Sequence, residues 1–217
     1  MAWVWGGFAV DNATLTRFFA LHFLLPFVLT AVCFLHIFYL HSTGSNNPLG
    51  LVSSADKVAF MNYYTTKDAF GFIVFLSCLL LVVFFYPGFF LECDNYIPAN
   101  ALVTPIHIVP EWYFLFAYAI LRCIPSKFGG VLALLISILI LGTLSFLHPQ
   151  AIKGLCFYGP VKSLFWGFVT TFILLTLSGG WPTESPYLIL TSVLSCFYFL
   201  FYFVLGVSCL FWDWVIS

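Results

Sequence analysis

The stretch FFALHFLLPFVLTAVCFLHIFYL, residues 18–40, decides the fold, because no Lys, Arg, Asp or Glu interrupts the chain between Arg17 and Asp56. Roughly 20 helical residues cross the roughly 30 Å hydrocarbon core of a bilayer, and this run is long and apolar enough to do so. Working outward, four more runs of that kind are bounded by charges or by Pro and Gly: Ala69–Tyr86 before Pro87-Gly88, Phe128–Leu147, Ser163–Gly180 before Trp181-Pro182, and Tyr187–Trp212. All should be helices, since a helix satisfies its own backbone in lipid and no period-2 alternation supports a barrel.

Composition agrees. Of 217 residues, 63% are hydrophobic, with seven Lys or Arg and eight Asp or Glu, against about one quarter charged in a soluble domain. With a mean hydropathy of +1.08, lipid must cover what polar surface cannot. The expected fold class is therefore all-α: a polytopic transmembrane bundle of about five spanning helices, plus a long interfacial loop with short helices. The net charge of -1 argues against nucleic-acid binding and against a polybasic lipid-binding tail. The seven cysteines show no C-x-x-C or C-x-x-C-H spacing and read as small apolar residues. Met1 to Val10 lacks a basic segment and does not read as a signal peptide.

Two connections exceed a simple turn, Gly44–Lys67 and Gly88–Lys127, and connections of that length usually carry function. Within the second, Ala117–Arg122 reads as a short interfacial helix opened by Pro110 in its first turn. Lys57, Lys67, Lys153 and Lys162 fall on one side of the membrane and Arg17, Arg122 and Lys127 on the other, which orients the lysine side inward. Residues 1–60 form the first span with its flanks, and 61–217 a C-terminal helical region carrying the long loop and remaining spans, all within one membrane-embedded unit that needs a partner.

His22 and His36 are the exceptions in the deciding stretch, and ionisable groups at such depth are rare unless liganded, paired or facing a cavity. They stand fourteen positions apart, nearly four whole turns, so both point to nearly one face about 21 Å apart along the axis. Two haems stacked across the bilayer would fit, with neutral imidazoles as axial ligands and a neighbouring helix supplying the opposite ones. Core histidines bonded to hydroxyls such as Thr30, a proton relay, or a metal site are the alternatives. The separation excludes one metal ion shared by both. His41, beside Ser42, Thr43 and Ser45, reads by itself as a solvated helix-end residue.

These residues resemble one family. Gly6-Gly7-Phe8-Ala9-Val10-Asp11-Asn12-Ala13-Thr14-Leu15-Thr16-Arg17-Phe18-Phe19, then His22 and His36, then His41-Ser42-Thr43-Gly44-Ser45-Asn46-Asn47-Pro48, is similar to the fourth transmembrane helix of mitochondrial cytochrome b and its flanks. Pro110-Glu111-Trp112-Tyr113 resembles that family's quinol-site signature, Ala119–Pro125 the stretch after it, and Gly180–Tyr187 its seventh-to-eighth helix connection. The resemblance covers helices four to eight; helices one to three, with the other two haem-ligating histidines, have no counterpart. The histidine spacing matches the mitochondrial and bacterial form, the chloroplast relative having one more residue. The expectation is a divided cytochrome b of which this is the C-terminal piece, with Met1 a genuine start; a fragment of a longer chain is the alternative.

The resemblance implies a subunit of ubiquinol:cytochrome c oxidoreductase, respiratory complex III, in the mitochondrial inner membrane. His22 would ligate the haem near the intermembrane-space side and His36 the haem near the matrix side, two b-type haems each half-ligated by this chain. Glu111 would accept protons from ubiquinol, a role that partial desolvation beside Trp112 and Tyr113 suits, with Tyr118 contacting the quinone. Alone, Glu111 reads as an interfacial carboxylate with aromatic-belt neighbours. At a second site reducing ubiquinone, His41 and Asp68 would face the carbonyl oxygens, with Ser45 and Lys67 nearby and Phe60 along the ring; alone, Lys67-Asp68 reads as a charged stop. His107 and His148 match no role. The implied partners are a chain with the N-terminal helices, the Rieske iron-sulfur protein, a c-type cytochrome and other complex III subunits, in a dimeric assembly. A haem-free structural or assembly subunit and a transporter or proton channel are the competing readings; the joint presence of His22, His36, Glu111 and Asp68 argues against both.

Overall fold

The computed structural model describes residues 2–8, 10–91, 93–98, 100, 102–103, 105, 108–146 and 154–217. His107, His148, Lys153 and the last residue expected in the third span, Leu147, lie outside the described residues. Among the described residues the regular structure is entirely helical. Five helical segments are long and apolar enough to cross a membrane: Asn12–Thr43, Tyr64–Phe85, Lys127–Ser145, Gly159–Gly179 and Tyr187–Ile216. The all-α, five-span expectation holds. The chain forms two compact units, residues 1–50 and 51–217.

In the first unit a short helix α1 (Ala2–Trp5) precedes the long α2 (Asn12–Thr43). A capping box sets the start of α2: the Asp11 carboxylate accepts from the Asn12 N–H at 2.7 Å, and the Asp11 N–H donates to the Thr14 hydroxyl at 3.4 Å. That hydroxyl donates in turn to the Trp5 carbonyl at 2.5 Å, and Arg17 donates to the Trp3 and Val4 carbonyls at 2.7 and 3.2 Å. Gly6 permits this tie. It has φ +77°, and a Cβ there would stand 2.6 Å from the Arg17 guanidinium. Gly44, also at positive φ, ends α2, its N–H donating to the Leu40 carbonyl at 2.8 Å.

In the second unit α3 (Tyr64–Phe85) buries no side chain. The packed part comprises α4 (Leu115–Cys123), α5 (Lys127–Leu139), α6 (Gly159–Gly179) and α7 (Tyr187–Ile216). The short α4 sits at its centre. Ala119 and Ile120 pack with Leu175 of α6 and with Leu194, Tyr198 and Tyr202 of α7. Two glycines let backbones meet there: a Cβ at Gly179 would stand 2.8 Å from the Leu115 carbonyl carbon and closer still to its oxygen, and one at Gly130 would lie 2.6 Å from the Leu121 oxygen. Close backbone approach through small residues is how helices associate where lipid removes the hydrophobic drive.

Buried polar groups along α7 add directed bonds. Tyr198 donates to the Ser137 carbonyl of α5 at 2.8 Å, Cys123 lies 3.4 Å from the Ser195 hydroxyl, and Tyr158, fully buried before α6, donates to Asp213 at 2.6 Å. Each satisfies a group that hydrocarbon could not.

The structure departs from two sequence expectations. The helix over 117–122 is longer, Leu115–Cys123, and a 3-10 turn, Trp112–Phe114, precedes it. Pro110 is not in the first turn; Glu111 occupies the capping position, its carbonyl accepting from the Phe114 N–H at 2.9 Å. The third span is α-helical only to Leu139 and tightens into a 3-10 segment, Ile140–Ser145, near the Ser137 carbonyl that Tyr198 engages.

Candidate functional site

Helix α2 carries the membrane histidines on an uninterrupted axis. At about 100° per residue His22 and His36 lie about 40° apart around it, on a face shared with Pro26, Leu29 and Cys33. Both are exposed within the unit, and neither imidazole makes a hydrogen bond or ion pair with any described residue. Thr30, the sequence candidate for a histidine partner, donates instead to the Pro26 carbonyl at 2.9 Å. Pro26 has no N–H to give the His22 carbonyl four residues before it. Among the described residues no group of three or more His, Cys, Asp or Glu is placed to hold a metal ion. The donor set therefore does not fit a multidentate metal site. Two separate imidazoles, each with a nitrogen to offer from one helix face, do fit the axial ligation of two haems.

Glu111 is half-buried at the entry to the 3-10 turn, and its carboxylate has no hydrogen bond or ion pair to any described residue. Trp112 and Tyr113 follow it in edge-to-face contact at 5.6 Å. Both line an apolar pocket of about 290 Å³ completed by Phe172, Ile173, Thr176 and Leu177 of α6. Tyr118 stands on α4, its hydroxyl donating to the Ile108 carbonyl at 2.9 Å. Its ring lies against Arg122, with 4.7 Å from ring centre to guanidinium carbon. The fold thus ties the tyrosine directly to the segment that leads into Glu111. Sequence reading assigned Arg122 to no site.

The remaining expected residues fall in different units. His41, in the last turn of α2, and Ser45 just past Gly44 belong to the first. Phe60, Lys67 and Asp68 belong to the second, around the start of α3. There Asn62 adopts φ 74°, and the Thr65 hydroxyl accepts from its N–H at 3.0 Å. Phe60 stacks on Tyr64 at 6.5 Å and 10°, and the Lys67 ammonium lies 5.8 Å from the same ring. Tyr64 is thus the shared contact of two expected site residues. Its i−4 and i+3 spacing to them was the available signal. Asp68, one residue further, is exposed.

Comparison with known proteins gives matches in chain order. Residues 1–93 match the family described as Cytochrome b(N-terminal)/b6/petB, and residues 98–199 match Cytochrome b(C-terminal)/b6/petD. The chain belongs to the cytochrome b/b6 family. A solved chain from a "Hyperthermophilic respiratory Complex III" superposes with a TM-score of 0.84 at 32% identity, over 96% of this chain and 54% of that one. This cytochrome b/b6 chain therefore spans about half the length of that relative. The change between the two family matches falls at residues 93–98, after α3 and before the Glu111 loop. The histidine helix thus belongs with the N-terminal family half, and Glu111, Tyr118 and the packed helices with the C-terminal half.

Proposed function

We propose that the chain is the C-terminal part of a cytochrome b working in ubiquinol:cytochrome c oxidoreductase, in which His22 and His36 would each help to hold one of two b haems. The supporting observation is the pair of uncommitted imidazoles, His22 and His36, on one face of the continuous α2. Their separation of about 21 Å puts one toward each side of a bilayer. When bound, b haem supplies reversible one-electron chemistry between two quinone sites. Helices preceding this region, on a separate chain or the same one, would supply the remaining ligands.

Oxidation of ubiquinol to ubiquinone releases two protons and two electrons. Glu111 takes a proton from the quinol hydroxyl and passes it to water at the membrane surface, which its uncommitted carboxylate and loop position suit. Tyr118 contacts the quinone while its hydroxyl stays on the Ile108 carbonyl. One electron leaves to a Rieske iron-sulfur protein and onward to a c-type cytochrome, and the other is left for a second quinone site. There the electrons left by two ubiquinol oxidations, with two protons taken from water, reduce one ubiquinone. His41 donates to one carbonyl and Asp68 relays a proton to the other, with Ser45, Lys67 and Phe60 around the ring. The assembly is a dimeric complex III. The histidine spacing favours a mitochondrial or bacterial energy-transducing membrane, of which the mitochondrial inner membrane is the proposed one.

The test is a reduced-minus-oxidised spectrum of the purified complex, which should show two bis-histidine b haems per copy of this chain. A complex containing the chain but no haem would contradict the proposal and leave a structural or assembly role.

A further inference from the structure

Arg122, a cation beside Tyr118, is left without a task by the mechanism above. It lies in the last turn of α4, one turn after Tyr118, with its guanidinium against that ring. One terminal nitrogen reaches α6 and donates to the carbonyls of Ser178, Gly179 and Trp181 at 3.1, 2.8 and 3.1 Å. Ser178 and Gly179 lie at the C-terminal end of α6 and Trp181 just past it, where the helix dipole is negative. The Nε–H is buried without an acceptor among the described residues. The stacking on Tyr118 and the bonds from the terminal nitrogen offset part of the cost of burying the guanidinium.

Capping α6 alone would not require contact with Tyr118. The ring, however, is held at both ends, with the guanidinium against its face and its hydroxyl on the Ile108 carbonyl at 2.9 Å. Ile108 stands three residues before Glu111. A continuous run of contacts therefore joins the end of α6, Arg122, Tyr118 and the Glu111 segment. Gly179 keeps the run short, because any side chain there would push α6 off Leu115.

We infer that Arg122 is a positioning residue for quinol oxidation, fixing the Tyr118 ring and, through the Tyr118–Ile108 bond, the Glu111 segment against the end of α6. The inference rests on assigning Tyr118 and Glu111 to the quinol site. The test compares Arg122→Gln, Arg122→Lys, Tyr118→Leu and the double variant Arg122→Gln/Tyr118→Leu in the assembled complex, with KM, kcat and haem content measured for each. Arg122→Gln should raise the quinol KM about tenfold at unchanged haem content, and add less than about twofold once Tyr118 is already Leu. Arg122→Lys should fall between, since an ammonium keeps the ring contact but lacks the planar fork. Full additivity with Tyr118→Leu, an unchanged KM, or failure of both Arg122 variants to assemble would make the residue a brace for the bundle and overturn the inference. Normal kinetics in both Tyr118→Leu and Glu111→Gln, which retain Arg122, would instead show that the quinol-site assignment itself is wrong.

Discussion

A histidine in hydrocarbon without a partner is costly, and α2 holds two with none among the described residues. Replacing His22 with Leu removes one proposed ligand and leaves α2 otherwise able to form. The expected result is loss of one b haem from the spectrum with the other retained; retention of both would contradict the ligand assignment. Glu111→Gln keeps the size of the side chain and removes its proton acceptor, so quinol oxidation should slow by about two orders of magnitude with both haems present. Turnover equal to the parent across pH would remove its proton role. The histidines were legible because the sequence around them carries no charge, and Glu111 because Pro110, Trp112 and Tyr113 flank it. The carbonyl partners of Arg122 were not legible. They lie 56 to 59 residues away, and no local pattern encodes a helix-end cap donated from another helix.

At the scale of helices, the approach of α4 to α6 depends on a missing side chain. A Cβ at Gly179 would collide with the Leu115 backbone, whereas one at Gly167 of the same helix meets nothing within 4 Å. Gly179→Ala should therefore destabilise the packed helices by about 1–3 kcal/mol. Gly167→Ala should be neutral or stabilising by up to about 1 kcal/mol. Thermal denaturation of the detergent-solubilised complex distinguishes them, and equal midpoints would show that the backbones do not meet as described. The five spans were readable from the intervals between charges, a property of transfer into lipid that needs no tertiary information. The 3-10 end of the third span was not, because its sequence, Ile140–Ser145, is as apolar as the helix before it. The contact that marks the change comes from Tyr198, 61 residues from Ser137.

For the whole molecule, the unequal burial of the helices carries the argument. Thr14 is the sole buried residue among the described side chains of α2, and α3 has none, while α4 to α7 pack through Tyr198, Tyr202, Ile120 and Leu175. Within its own unit, α2 offers both histidines an exposed face. Lipid supplies no hydrophobic drive for covering that face with protein, so shared haem ligation is the proposed source of attachment to the preceding helices. Loss of both ligands in His22→Leu/His36→Leu should then weaken copurification of this chain with those helices when they reside on a separate chain, or reduce the amount of folded protein when they do not. The central claim, that this chain half-ligates two haems, is tested most directly by measuring b haem per copy of the chain in the purified native complex, with the intact masses of its subunits from the same sample. Two b haems per copy, together with a sequence carrying the first three helices and two further ligating histidines, is the predicted result. A purified complex that contains the chain with no b haem would contradict the account.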